Sequence, residues 1–127
     1  MQDPVSQIYK TLGSEQPIYK LVDEFYSRVE QDSVLRPLYP EDLMAPKRHL
    51  AIFLVQRFGG PTTYSNERGH PRMRARHMPF KIGVKEKDAW MANMIVALST
   101  VPEFKMHIPL LQEYFEEFAT FMINQPH

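Results

Sequence analysis

Proline placement constrains this chain more than any other feature. A proline lacks an amide hydrogen and its ring collides with the preceding helical turn, so it suits a helix's first turn and breaks its interior. Eleven of the 127 residues are proline, against an average of ~5%. They stand between periodic stretches rather than inside them.

The segments so marked read as helices. PVSQIYKTLG begins with Asp3 as cap and Pro4 at the first position, and Gly13 stops it. After Pro17, the residues Ile18, Leu21, Val22, Phe25, Tyr26 and Val29 recur at three-and-four spacing, the mark of an amphipathic helix. SVLRPLYPEDL is broken by Pro37 and Pro40, which predicts a stiff corner for Leu38 and Tyr39 rather than a helix. In APKRHLAIFLVQRF, Leu50, Phe53, Leu54 and Phe58 form one stripe, Pro46 fits the first turn, and Gly59-Gly60-Pro61 ends the run. Residues 85–101 place Trp90, Met94, Ala97 and Val101 on one side, widened by Met91, Ile95 and Leu98. The last helix starts at Pro109 and aligns Leu111, Tyr114, Phe115, Phe118, Phe121 and Met122. No segment alternates with period two and no repeat is evident. The expectation is an all-α fold, one domain over residues 1–127.

One stretch lies outside this pattern. Between Gly59 and Val84 helical periodicity fades, and so long a connection is usually functional or disordered. Its Tyr, Met, Phe and Ile content argues against a disordered linker. Pro71 to His77 spans about two helical turns, with Met78 pushed out of the helix by Pro79. His77 then ends a proline-bounded helix, with Met73 one turn earlier on the same face.

Composition narrows the chemistry. Without cysteine there are no disulfides, thiolate zinc sites, iron–sulfur clusters or cysteine nucleophiles. Fifteen basic residues balance fifteen acidic ones, which argues against nucleic acid or an anionic membrane as main partner. MQDPVSQIYKTLG has no basic head followed by an apolar run, and no later stretch is long enough to span a bilayer, so a cytoplasmic protein is expected.

Five histidines remain to be weighed: His49, His70, His77, His107 and His127. No pair has the H-x-x-x-H spacing of a helical zinc site. His127 is expected in solvent, His49 and His107 at the surface, and His70 in a turn that it helps to hold. Spacing leaves two readings for His77. It can simply favour a negative helix terminus, or it can ligate a metal. An aromatic- and methionine-rich core, beside an ordered-looking loop with no packing purpose, favours ligation within a large flat apolar cofactor.

The long ordered combination Y-P-E-D-L, G-G-P-x-x-Y, R-G-H-P-x-x-R-x-R-H-x-P-F and D-A-W, densest over residues 53–94, is specific. With it the chain resembles the second group of the truncated haemoglobins over nearly its whole length. The resemblance implies a shortened globin whose helices cross two-over-two around haem b, iron protoporphyrin IX. It implies His77 as the proximal iron ligand, its other ring nitrogen donating to an acceptor such as a backbone carbonyl. Arg76 and Tyr64 are implied to reach the propionates, arginine because its forked donors suit a carboxylate, while Arg74 either joins them or stays a solvated charge. Met73, Leu50, Phe53 and Trp90 complete the implied haem contacts. On the distal side it implies Tyr26, Tyr39 and Trp90 as donors to bound dioxygen, each adding ~1–2 kcal/mol and together slowing release.

Pro46 stands where oxygen-storage globins carry a distal histidine, with Leu50 one turn on, and neither side chain donates a hydrogen bond. The family's first glycine pair is reduced to Gly13-Ser14. The implied activity is reversible binding of dioxygen and other diatomic ligands, as carrier, store or sensor partner. The alternative is a redox enzyme, a nitric oxide dioxygenase or peroxidase. Expected partners are these ligands and an unidentified reductase, with the chain a monomer or homodimer.

Overall fold

Each proline-headed segment forms its helix in the computed structural model, which describes residues 3–126. A 3-10 turn, Pro4–Gln7, leads into α1, Ile8–Leu12; α2 follows at Gln16–Val29 and α3 at Met44–Arg57. Two short helices come next, α4 at Thr63–Arg68 and α5 at Met73–His77. The long α6, Val84–Thr100, and α7, Ile108–Phe121, complete the set. No strand occurs among the described residues.

The caps behave as their residue types dictate. Asp3 accepts from the Val5 amide at 3.0 Å, and Gly13 ends α1 in the left-handed region at φ 79°. Gly59, at φ 105°, has a second reason to lack a side chain: a Cβ there collides with the Ser6 carbonyl. The first turn of the chain thereby docks on the end of α3, sealed by the Tyr9 amide donating to the Phe58 carbonyl at 2.9 Å.

Packing follows the stripes. α2 lies against α3 and α6, and α6 against α7, giving two crossed helix pairs. Ile18, Leu21, Phe25 and Val29 of α2 meet Met94, Ala97 and Leu98 of α6 in a core with essentially no exposed surface. Leu111 and Phe115 of α7 join them. Burying one such side chain contributes roughly 1.5–3 kcal/mol, so these faces hold the crossing together.

Four local departures from expectation have clear causes. The span between Gly59 and Val84 contains α4, which has one buried residue, Tyr64, and so no stripe to read. α4 is tied to α3 by Gln56, whose amide donates to Ser65 Oγ at 2.8 Å and accepts from the Ser65 amide at 2.9 Å. α5 starts at Met73, not Pro71, because Arg72 takes a left-handed φ of 46°. Leu38 closes a single 3-10 turn, Arg36–Leu38, while Tyr39 is extended as the corner requires.

The fourth departure concerns pre-proline residues, which disfavour helical angles. Val101 obeys, leaving α6 extended before Pro102, and a further 3-10 turn covers Pro102–His107. Met78 does not: it keeps φ −56° and ψ −34° before Pro79 and bonds its amide to the Ala75 carbonyl at 3.3 Å.

Candidate functional site

A cavity of about 660 Å³ opens between α3, α5, α6 and the corner after α2. Its volume suits a sizeable organic ligand. Tyr26, Tyr39, Pro46, Leu50, Phe53, Tyr64, Met73, Arg76, His77 and Trp90 all line it.

On one wall stands His77. Its Nδ1 lies 2.6 Å from the Met73 carbonyl oxygen. A carbonyl can only accept, so Nδ1 carries the proton, and in the neutral ring Nε2 is left with the lone pair. The loop behind it is pinned from the far end of the chain. The Asn124 amide donates to the carbonyls of His77 at 3.2 Å and Phe80 at 2.8 Å, and its oxygen accepts from the Ile82 amide at 3.0 Å. The imidazole meets the Phe80 ring edge-on, centroids 6.4 Å apart.

Three polar aromatics face into the cavity from elsewhere. The Tyr26 and Tyr39 rings meet edge-on at 5.5 Å, and Phe25 packs between Tyr26 and Trp90 at 5.3 and 5.2 Å. Burial pushes the Tyr39 phenol up to about 12, opposed by the polar groups of Trp90 and Tyr26 beside it. Tyr26 is raised further, first by burial and then by Tyr39 beside it. Both are therefore neutral phenols.

Two arginines mark the rim. Arg76 donates through Nε to the Pro71 carbonyl at 2.8 Å and through Nη2 to the Arg68 carbonyl at 2.9 Å. Arg68 places Nη1 2.7 Å from His49 Nε2, while its Nε is buried without a protein partner. Both guanidiniums stand 5.8 Å from the centre of the Tyr64 ring.

Several expectations need correction. Arg74 does not line the cavity; it reaches the Ile123 carbonyl at 3.2 Å and lies over the Phe121 ring. Two residues apart on a short helix, Arg74 and Arg76 project to nearly opposite faces. His49 is half-buried on the cavity wall rather than at the surface, its proton affinity lowered by burial and then by Arg68. His107 is half-buried too, with Nε2 shielded and without a protein partner. His70 is exposed at a bend, and His127 lies outside the described residues.

Sequence reasoning assigned no cavity role to Arg68, Lys87 or the apolar lining from Leu35, Phe80 and Phe118. Lys87, paired with Glu116, lies one turn before Trp90 and could have been placed by helical register. Phe118 stands on the α7 stripe already read as apolar. Arg68 opens the R-G-H-P stretch of the family motif, but that motif alone gives it no role, which depends on how α4 docks.

The family comparison matches residues 7–124 to the bacterial-like globins. The chain belongs to that family. Its curated relatives include the group 2 truncated hemoglobin YjbI of Bacillus subtilis (strain 168), 43% identical over 93 residues, which are 73% of this chain and 70% of that one. Among solved structures, the group II truncated hemoglobin of Bacillus anthracis superposes with a TM-score of 0.89 at 38% identity, covering 99% of this chain and 96% of that one. The hemoglobin of Chloroflexus aurantiacus gives 0.86 at 45% identity, covering 94% and 98%. The crossed pairs α2/α3 and α6/α7 are thus the two-over-two arrangement of a group II truncated globin.

Globin membership implies a haem cofactor and a diatomic ligand, and the residues present fit one. The cavity offers apolar walls for a tetrapyrrole, one imidazole lone pair for iron and cationic rim groups for carboxylates. The buried Arg68 Nε is a donor still lacking an acceptor, which a carboxylate would supply. Among the described residues no three metal-ligating side chains converge, so an iron at His77 would take its other donors from the cofactor.

Proposed function

We propose that this globin, as one domain over residues 1–127, holds haem b through His77 Nε2 and reversibly binds dioxygen and other diatomic ligands. The observation that supports the reading most is the His77–Met73 bond, which fixes the tautomer and aims the free nitrogen. When bound, haem supplies an iron with a sixth position open to a diatomic ligand. Arg76, Arg68 and Tyr64 take the propionates at the rim, and Met73, Leu50 and Phe53 supply apolar contact. Pro46 and Leu50 leave the α3 wall of the distal side without donors. Hydrogen bonding to the guest falls to Tyr39, with Tyr26 and Trp90 beside it on the cavity wall. In this reading Tyr39 is the main donor and Tyr26 and Trp90 add to it.

The test is a hemin titration of apo-protein, wild type and His77→Ala, followed by absorption. The wild type saturates at one haem per chain with a five-coordinate histidine-ligated ferrous spectrum, and the variant lacks that signature. Equal uptake with the same spectrum in both proteins would remove His77 as the ligand.

The oriented donors also favour a second reading. They retain a bound ligand, which serves slow-release chemistry better than carriage, so oxidation of nitric oxide or peroxidase turnover with a partner reductase in the cytoplasm is the alternative. Rapid reduction of the ferric protein by a flavin reductase, with slow dioxygen release, would select it over transport.

A further inference from the structure

Asn93 lies where the three elements carrying Tyr26, Tyr39 and Trp90 come together, although it does not line the cavity. It is 6% exposed and, among the described residues, the polar member of the buried set. Its Oδ1 accepts from Arg28 Nε at 3.1 Å, and Arg28 follows Tyr26 by two residues on α2. Its Nδ2 donates to Asp32 Oδ2 at 2.8 Å and to the Ala89 carbonyl, the residue before Trp90, at 2.8 Å.

From Asp32 the connection continues to Tyr39. Asp32 Oδ1 accepts from the Val34 and Leu35 amides, each at 2.9 Å, and its carbonyl accepts from the Arg36 amide at 2.9 Å. Arg36 then gathers the carbonyls of Tyr39, Pro40 and Glu41 at 3.3, 2.9 and 2.8 Å. One side-chain amide therefore bonds α2, the corner and α6 at once. A leucine would fill the site without the desolvation cost of a buried amide. What only the amide provides is a fixed register among the three elements.

We propose that Asn93 is a positioning residue of the distal pocket, setting the geometry among Tyr26, Tyr39 and Trp90 and thereby the rate at which a diatomic ligand leaves. This rests on the haem-binding reading above. The corner's dependence on Asn93 makes Tyr39 the side chain through which it acts.

The experiment is stopped-flow dioxygen dissociation from the reduced holo-protein, with the infrared stretch of the carbon monoxide adduct, for Asn93→Leu, Tyr39→Phe and the double variant. Asn93→Leu is expected to speed dissociation by about fivefold or more and to broaden the stretch, and in the Tyr39→Phe background its effect collapses to less than about twofold. Asp32→Ala, which breaks the same connection from the solvent side, shifts both readouts in the same direction and serves if Asn93→Leu does not fold. A lowered melting temperature with rate and stretch unchanged would reduce Asn93 to a structural residue. An equal effect with and without the Tyr39 hydroxyl also overturns the proposal. If Tyr39→Phe alone leaves dissociation unchanged, the distal reading itself falls, and a loss of haem binding marks failure at the proximal side instead.

Discussion

His77 Nδ1 stands 2.6 Å from the carbonyl oxygen of Met73, one helical turn behind it on α5. The bond fixes which ring nitrogen is free, and a substitution that deletes the ring leaves a hole of imidazole size. In His77→Gly, ferrous histidine-type absorption is expected to vanish and to return on adding millimolar imidazole. A variant that imidazole does not restore would place the ligand elsewhere.

At the distal side, Tyr39→Phe is expected to speed dioxygen dissociation by about tenfold or more, the equivalent of one lost charge-assisted bond. Tyr26→Phe and Trp90→Phe, which remove the other two polar aromatics of the cavity wall, follow at smaller factors. Pro46→Ala has little effect, since neither side chain donates. Stopped-flow rates in which Pro46 dominates would overturn this assignment.

The rim makes a prediction about retention of haem. Removing Arg68, whose Nε is a buried donor without a protein acceptor, is expected to speed haem transfer to an acceptor globin severalfold, and Arg76→Ala does likewise. Arg74→Ala serves as the contrast because its guanidinium is turned toward Ile123 and Phe121. Equal rates for all three would remove the rim from haem retention.

Asp32 makes stability depend on acid. The Asn93 amide and then the Leu35 backbone N–H hold its carboxyl below the usual range. A depressed folded value means the contribution is present above the ordinary carboxylate pKa and is lost as pH falls through the folded one. Asp32→Asn therefore lowers the melting temperature at neutral pH, and the gap from wild type narrows as both are titrated below the carboxylate range. A constant gap across that window would show that ionisation of Asp32 plays no part.

Core and surface aromatics should separate cleanly. Phe25 has no exposed surface, whereas Phe121 is 60% exposed. Phe25→Ala is expected to cost about 3–5 kcal/mol in chemical denaturation and Phe121→Ala within about 0.5 kcal/mol.

Much of this architecture could be read from spacing because burial on one face leaves a period in the residues. Ile18 to Val29 announced α2, and Leu111 to Met122 announced α7. The short helix α4 could not be read that way, with Tyr64 alone buried and a side-chain amide from α3 doing the anchoring. Tyr26, Tyr39 and Trp90 were placed by family resemblance, since periodicity treats a tyrosine in a core stripe like any other aromatic. Neither route gives a role to Asn93 or to Arg68, although Arg68 stands in the family motif. Their importance lies in contacts across 61 and 19 positions of chain, to Asp32 and His49, and a single sequence does not display such pairings.

Arg76 closes the irregular segment before α5 by holding the carbonyls of Pro71 and Arg68, as Arg36 closes the corner before α3. In a chain without cysteine, these guanidiniums tie together two segments that carry cavity residues, as cross-links would. A guanidinium neither loses its charge at any pH a cell reaches nor answers to thiols or oxidants. The fastenings of the pocket are thus indifferent to the redox conditions in which a haem would be reduced and oxidised.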